Sequence, residues 1–246
     1  MKLNEQTKKW ESEFWHPSVA TDAVVFGFNI DTNSLDILLI QRGVEPFRGK
    51  WALPGGFLKQ GESAEQCVRR ELNEETHIAN LYLEQIGAFS EPDRDQGHED
   101  QVISISYFAL VRSADYEVIG GDDATKAVWF PVSEHPELAF DHEEILQKAL
   151  STLRQRIHFA PIGFQLLDET FTMPQLQNIY IAILDPEGKD SKLRDRRNFL
   201  KKMLNLGYIK DTGEKVTGNP HRSPKKYTFD KDAYQQAKKV GMRLEF

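Results

Sequence analysis

The sequence predicts a mixed α/β (α+β) layered domain followed by a smaller, winged helix-turn-helix unit. Three observations predict it. Up to residue 157, strand-sized apolar runs alternate with loops and two amphipathic helices, the pattern of a sheet covered by helices. Beyond that point the order is helix, turn, helix, basic hairpin, short helix, which is that of a winged helix-turn-helix. Charge divides at the same place: residues 1–157 hold 15 Lys+Arg against 27 Asp+Glu, net −12, and residues 158–246 hold 16 against 11, net +5. A basic unit joined to an acidic one suggests a polyanion that only the basic one meets. We therefore divide the chain into domains 1–157 and 158–246.

Composition narrows the setting. Of 246 residues only Cys67 is a cysteine, which excludes an internal disulfide framework and fits a reducing, cytoplasmic compartment. No apolar run approaches the roughly 18 residues of a membrane span, and "MKLNEQTKKWESEFW" lacks the apolar core of a signal peptide.

The elements follow in order. "ATDAVVFGFNI" and "LDILLIQ" are β-branched, apolar runs joined by the turn-rich "DTNS", and read as paired strands. "GKWALPGGFLKQGE" is punctuated by glycine and proline and reads as loop. Residues 64–76 contain no helix breaker, and Ser63 with Gln66 forms a capping box. Strands are expected at 82–90, 102–111 and 127–131, the first two separated by the polar loop "EPDRDQGHEDQ". "DHEEILQKALSTLRQRI" is an amphipathic helix with Asp141 as N-cap. In the second unit, "FTMPQLQNIYIAIL" is a helix capped by Thr172, with proline in its first turn. "DSKLRDRRNFLKKMLNLG" reads as one helix closed by Gly207, "YIKDTGEKVTGNPHRSPKKYTFD" as a hairpin and "KDAYQQAKKVG" as a last helix.

A wheel at about 100° per residue over 64–76 puts Ala64, Cys67, Val68 and Leu72 on one arc. Glu71 and Glu75 fall inside that arc and Glu74 at its edge beside Arg70. Inward glutamates must be neutralised, paired or metal-bound, because an isolated buried charge is very costly. Three carboxylates at i, i+3 and i+4 suit Mg²⁺ or Mn²⁺, placed to bind a diphosphate and polarise water. The "LPGG" loop, with Gly56, can bring backbone groups to the same ion or phosphate.

These residues resemble the Nudix hydrolase signature: glycine, five residues, glutamate, seven residues, then Arg–Glu–apolar–any–Glu–Glu–any–Gly–apolar. Gly56, Glu62, Arg70, Glu71, Leu72, Glu74, Glu75 and Ile78 match it, and His77 replaces the last glycine. The resemblance implies a Nudix α/β/α sandwich with Glu71, Glu74, Glu75 and Gly56 at the metal and Glu62 and Arg70 bracing the loop. Glycine there serves as a left-handed helix C′ residue, so His77 is expected to carry a strain of about 1 kcal/mol without removing a ligand. A further base is expected from Glu91, Asp93, Asp95, Glu99 or Asp100, with nothing to choose among them.

On the helix over 190–207, Leu193, Phe199, Leu200, Met203, Leu204 and Leu206 share one face. Arg194, Arg197, Asn198, Lys201, Lys202 and Asn205 line the other, the composition of a helix that reads a major groove. His221, Arg222, Lys225 and Lys226 at the hairpin tip would reach the backbone or minor groove. Arg196 points by phase to the apolar face, where a structural ion pair is expected.

Both units together, through "FRGKWALPGGF", "LAFDHEEIL", "FQLLDETFTMPQLQNIYIAIL" and "DRRNFLKKML", resemble the Nudix-related transcriptional regulators of NAD metabolism, the NrtR family. The resemblance implies a homodimeric repressor on double-stranded operator DNA of NAD biosynthesis or salvage genes, released when ADP-ribose fills the Nudix pocket. In that frame Arg42 and Arg48 are expected on the diphosphate and Trp51 against a base. An active ADP-ribose pyrophosphatase, or a protein that both represses and hydrolyses, is the alternative, with any hydrolysis weak.

Overall fold

The computed structural model describes residues 2–4, 9–11, 14–79, 81–95, 100–116, 118, 120, 124–217 and 223–240. A small antiparallel pair, β1 (Lys2–Asn4) and β2 (Lys9–Glu11), precedes a seven-stranded sheet. The sheet comprises β3 (Ser18–Asn29), β4 (Ser34–Arg42), β5 (Trp51–Ala52), β6 (Gly55–Phe57), β7 (Glu84–Phe89), β8 (Val102–Arg112) and β9 (Ala124–Pro131). Its main path is β5-β4-β3-β8-β7, with β6 against β3 and β9 against β4. The β3–β8 pair is parallel and the other pairs are antiparallel. The short β5 and β6 lie within the stretch expected to be loop.

β3 and β4 read as unbroken apolar runs because both their faces are covered. Alternate residues serve opposite layers, as the two-residue period of a strand requires. Ala23, Val25, Leu38 and Ile40 pack with Val68 and Leu72 of α1 (Ala64–Thr76). Val24, Phe26, Ile37 and Leu39 pack with Ile145, Leu146, Ala149 and Leu153 of α2 (His142–Arg156). The result is the expected α/β/α sandwich.

The C-terminal unit holds β10 (Thr170–Thr172), α3 (Met173–Leu184), α4 (Ser191–Arg194), α5 (Arg196–Asn205), β11 (Ile209–Lys215), β12 (Lys225–Phe229) and α6 (Lys231–Val240). Its strands pair in the order β10-β12-β11, so the wing is a hairpin extended by a third, unforeseen strand. The capping boxes at Ser63–Gln66 and Thr172–Gln175 both form, and Gly207 takes φ 79° at the end of α5.

Two local expectations are corrected. The helix over 190–207 is broken at Asp195, whose extended backbone (φ −71°, ψ 111°) starts a new helix with its carboxylate on the Asn198 N–H at 2.7 Å. An aspartate that can satisfy an orphan amide competes with helix continuation, and Asp190 does the same for α4. Asp141 precedes α2 but makes no cap; Arg94 takes both its carboxylate oxygens, at 2.7 and 2.8 Å.

The two units share one core. The cluster containing Phe26 and Leu146 continues through Ile157 to Tyr180, Phe199, Tyr208 and Tyr227. Polar ties reinforce it: Arg154 Nε donates to the Ile183 carbonyl at 3.0 Å, Gln165 Nε2 to that of Leu110 at 3.1 Å and Asn178 Nδ2 to Asn33 Oδ1 at 2.7 Å. Among the described residues, no helix is long and apolar enough to cross a membrane.

Candidate functional site

The acidic face of α1 is where the wheel places it. Cys67, Val68 and Leu72 anchor the helix in the core, and this carries Glu75, only 6% exposed, inward with them. Glu75 Oε2 accepts the Gly55 N–H at 2.9 Å. Burial pushes the Glu75 carboxyl up to about 8, against the pull of that amide, and burial raises Glu71 as well. Arg70 knots the loop to the helix. Its Nε and Nη2 donate to Glu62 at 2.6 and 3.0 Å, its Nη1 to Glu71 at 2.5 Å and Glu74 at 3.0 Å, and Nη2 also reaches the Phe57 carbonyl at 3.1 Å. The Arg70 bond holds Glu62 down at about 2. Gly56 is required by close approach: a Cβ there would lie 2.5 Å from the Glu71 carboxyl. His77 adopts the left-handed conformation (φ 60°, ψ 17°), its N–H on the Asn73 carbonyl at 3.1 Å.

These groups border a cleft of about 840 Å³ lined by Arg42, Phe57, Lys59, Arg70, Glu71 and Glu75 among others. Arg42 donates from Nε to the Pro46 carbonyl at 2.8 Å, and its guanidinium lies 4.8 Å from the centre of the Phe140 ring. Oxygen-only donors suit Mg²⁺ or Mn²⁺, and a cation would offset the cost of the buried Glu75 charge. Among the described residues, however, no group of three or more His, Cys, Asp or Glu side chains is gathered to hold a metal. Arg70 already engages Glu71 and Glu74, so a cation here has to draw both from the guanidinium.

Behind Gly55 and Gly56 lies a chamber of about 70 Å³ bordered by Asp22, Arg42, Arg94 and His142. Asp22 accepts from Ser104 Oγ and sits 3.6 Å from Arg94 Nη2. The Leu53 N–H donates to His142 Nδ1 at 2.9 Å, so the ring proton is on Nε2, facing Asp22 Oδ1 at 3.6 Å. Burial lowers the His142 pKa, keeping the ring neutral. This network joins the floor of the cleft to the first turn of α2.

A second surface belongs to the C-terminal unit. Phe199 and Met203 bury one side of α5, and Arg196, Arg197, Lys201, Leu204 and Asn205 are exposed. Several cations of this unit are committed internally. Arg194 donates to Asp185 Oδ2 at 2.6 Å and to its carbonyl at 2.7 Å. Lys225 pairs with Asp211 at 2.6 Å, Lys226 with Glu214 at 3.4 Å, and Lys210 with Asp230.

Residues 17–149 match the NUDIX domain family, and residues 163–229 match the NrtR DNA-binding winged helix domain. Over 212 residues the chain is 31% identical to the ADPR responsive transcriptional repressor NtrR of Acinetobacter baylyi, an overlap of 85% of this chain and 81% of that one. The chain belongs to the NrtR family. Among solved structures it is similar to Shewanella oneidensis NrtR complexed with a 27mer DNA, at 29% identity and TM-score 0.67, covering 88% of this chain and 95% of that one. It is also similar to the NUDIX domain of the Shewanella protein complexed with ADP ribose, at 31% identity and TM-score 0.52, covering 62% of this chain and 99% of that one.

In this NrtR-family chain, Gly56, Glu71, Glu74, Glu75 and Arg42 border one cleft. Arg48 is exposed on a neighbouring turn, and Trp51 packs edge-on against Phe130 with ring centres 4.8 Å apart; neither borders the cleft. Arg197 and Lys201 are on the exposed face of α5, and Lys202 is half-buried. Asn198 spends its side-chain amide on the Lys192 carbonyl at 3.0 Å. His221, Arg222 and Glu99 lie outside the described residues. Arg196 was expected to form an ion pair on the apolar side; it is exposed and pairs with no described acid, because at the first position of α5 its side chain leaves past the end of the core. The sequence reading missed Lys59 and the Asp22–Arg94–His142 network. A lone aspartate inside the apolar "ATDAVVF" was the available signal for the network; Arg94 had none.

Proposed function

We propose that this chain is a DNA-binding transcriptional repressor of NAD biosynthesis or salvage genes whose Nudix cleft senses ADP-ribose. The single observation that carries the reading is the shared core: a diphosphate-type cleft and a winged helix with a basic exposed face are built on one hydrophobic cluster. The family relatives, one described as ADPR responsive and another complexed with DNA and with ADP ribose, support it. Within domain 1–157, Arg42 and Lys59 offer cations to the diphosphate, Phe57 an apolar surface, and Glu71, Glu74, Glu75 and the Gly56 carbonyl the ligands for an accompanying Mg²⁺ or Mn²⁺. Domain 158–246 binds operator DNA, and two copies of the chain form a homodimer whose paired winged helices span two half-sites.

ADP-ribose has to bind the DNA-incompetent arrangement more tightly, since equal affinity for both shifts nothing. A hundredfold fall in operator affinity needs about 2.7 kcal/mol of such difference, within the usual range of allosteric coupling. Fluorescence anisotropy of labelled duplex from upstream of NAD genes, titrated with protein and then ADP-ribose, tests this. Tight binding reversed by ADP-ribose is expected; no specific binding at moderate salt would overturn it. One observation favours added hydrolysis: Glu71, Glu74 and Glu75 border one cleft beside the Glu62–Arg70 brace. Mg²⁺-dependent turnover of ADP-ribose, lost in the double variant Glu71→Gln/Glu75→Gln while operator binding persists, would make the protein bifunctional.

A further inference from the structure

The break at Asp195 changes which side chains the recognition helix offers to DNA. A continuous helix over 190–207 would place Arg194, Arg197, Asn198 and Lys201 on one reading face. Instead, Arg194 lies before the helix, with its guanidinium on the Asp185 carboxylate and carbonyl. Asn198 ties α5 to α4 through the Lys192 carbonyl. The helix itself opens with Arg196 and Arg197, both exposed. Asp195, the acid next to them in sequence, commits its Oδ1 to the Asn198 N–H at 2.7 Å. Among the described residues, these are the two arginines of the C-terminal unit without an acidic partner.

We propose that Arg196 and Arg197 are the base-reading residues of this protein, each directed at a guanine in the major groove, and that Arg194 and Asn198 instead hold the helix in place. In helix-turn-helix docking the first residues of the recognition helix reach the base edges. A guanidinium not engaged elsewhere can grip guanine O6 and N7 with two parallel hydrogen bonds, which a lysine ammonium cannot reproduce. Lys201, one turn beyond Arg197 on the same exposed side, contacts phosphate and adds affinity without sequence preference. The inference rests on the DNA-binding reading above and names the residues that give it specificity.

The test uses the full chain and a duplex selected from a random-sequence pool by the wild-type protein. Anisotropy is then measured against that duplex, against versions with each G·C pair inverted in turn, and against random duplex at fixed salt. Arg196→Ala and Arg197→Ala are expected to lose about 10- to 100-fold on the selected duplex and less than about threefold on random DNA. Each should also become indifferent to inversion of one particular G·C pair. Arg196→Lys and Arg197→Lys retain the charge and the salt dependence yet show the same indifference, an outcome that merely structural damage would not produce. Lys201→Ala should weaken selected and random duplexes alike. Lysine variants that discriminate every pair as the wild type does, or alanine variants that weaken both duplexes equally, would overturn the proposal. A wild-type chain that selects no sequence would overturn it together with the DNA-binding reading.

Discussion

Glu75 is held where a carboxylate charge is costly, on the inner face of α1 with one backbone amide for company. Its carboxyl is raised to about 8, chiefly by burial, so between the ordinary glutamate range and pH 8 the folded protein binds more protons than the unfolded chain. Stability of the metal-free protein therefore falls as pH rises through that window and levels off above it. Thermal denaturation should show a drop of about 5 °C in Tm between pH 6 and pH 8.5, given that 1 kcal/mol moves a domain of this size by about 2–4 °C. Glu75→Gln should flatten that slope, and an unchanged slope would show that another group governs it. His77 is a separate matter of backbone strain. At φ 60° a histidine is disfavoured where glycine is not, so His77→Gly is expected to stabilise the protein by about 0.5–1 kcal/mol in urea titrations. A loss of stability would mean that the imidazole contributes more than its strained backbone costs.

Among the elements, α1 was legible at its start from local signals, no breaker within and Ser63 with Gln66 as its cap, while the left-handed end at His77 was expected only from the glycine that the Nudix signature carries there. α5 was legible only in part. Its apolar period runs on through Asp195, and periodicity alone does not reveal where an aspartate turns from helix residue to cap. Asp195→Ala removes the cap and is expected to cost about 1 kcal/mol, seen as a lower Tm. It should also weaken operator binding, since the first turn that carries Arg196 and Arg197 loses its fixed start. Unaltered DNA affinity in a destabilised variant would separate the cap from recognition. α2 was expected to be a plain amphipathic helix, and its ends prove more specific. His142 accepts the Leu53 N–H at the cleft, and Arg154 donates to the end of α3 in the winged helix.

Across the whole molecule, the helix layer on the second face of the sheet comes partly from the C-terminal unit. Ile145, Leu146 and Leu153 of α2 belong to the same cluster as Tyr180, Ile183 and Phe199. Calorimetry of the full chain should therefore give one cooperative transition, because separating the units exposes large apolar surface on both. Two resolved transitions would show that the units unfold independently. A winged helix packed into the same core as the sheet is poorly suited to swing on a linker.

The sequence by itself determined the two-part architecture, the acidic face of α1 and the basic character of the C-terminal unit. Each is written in short-range patterns: two-residue and 3.6-residue apolar periods, capping residues and a long glutamate spacing. Only the tertiary structure decided that Arg42 borders the cleft while Arg48 and Trp51 do not, that Asp22, Arg94 and His142 form its buried floor, and that Arg196 is exposed while Arg194 is locked to Asp185. Those outcomes depend on which polar groups meet in space and on where a helix restarts, and partner choice, whether across nine residues as for Arg194 and Asp185 or across many more, leaves no period in the chain to read.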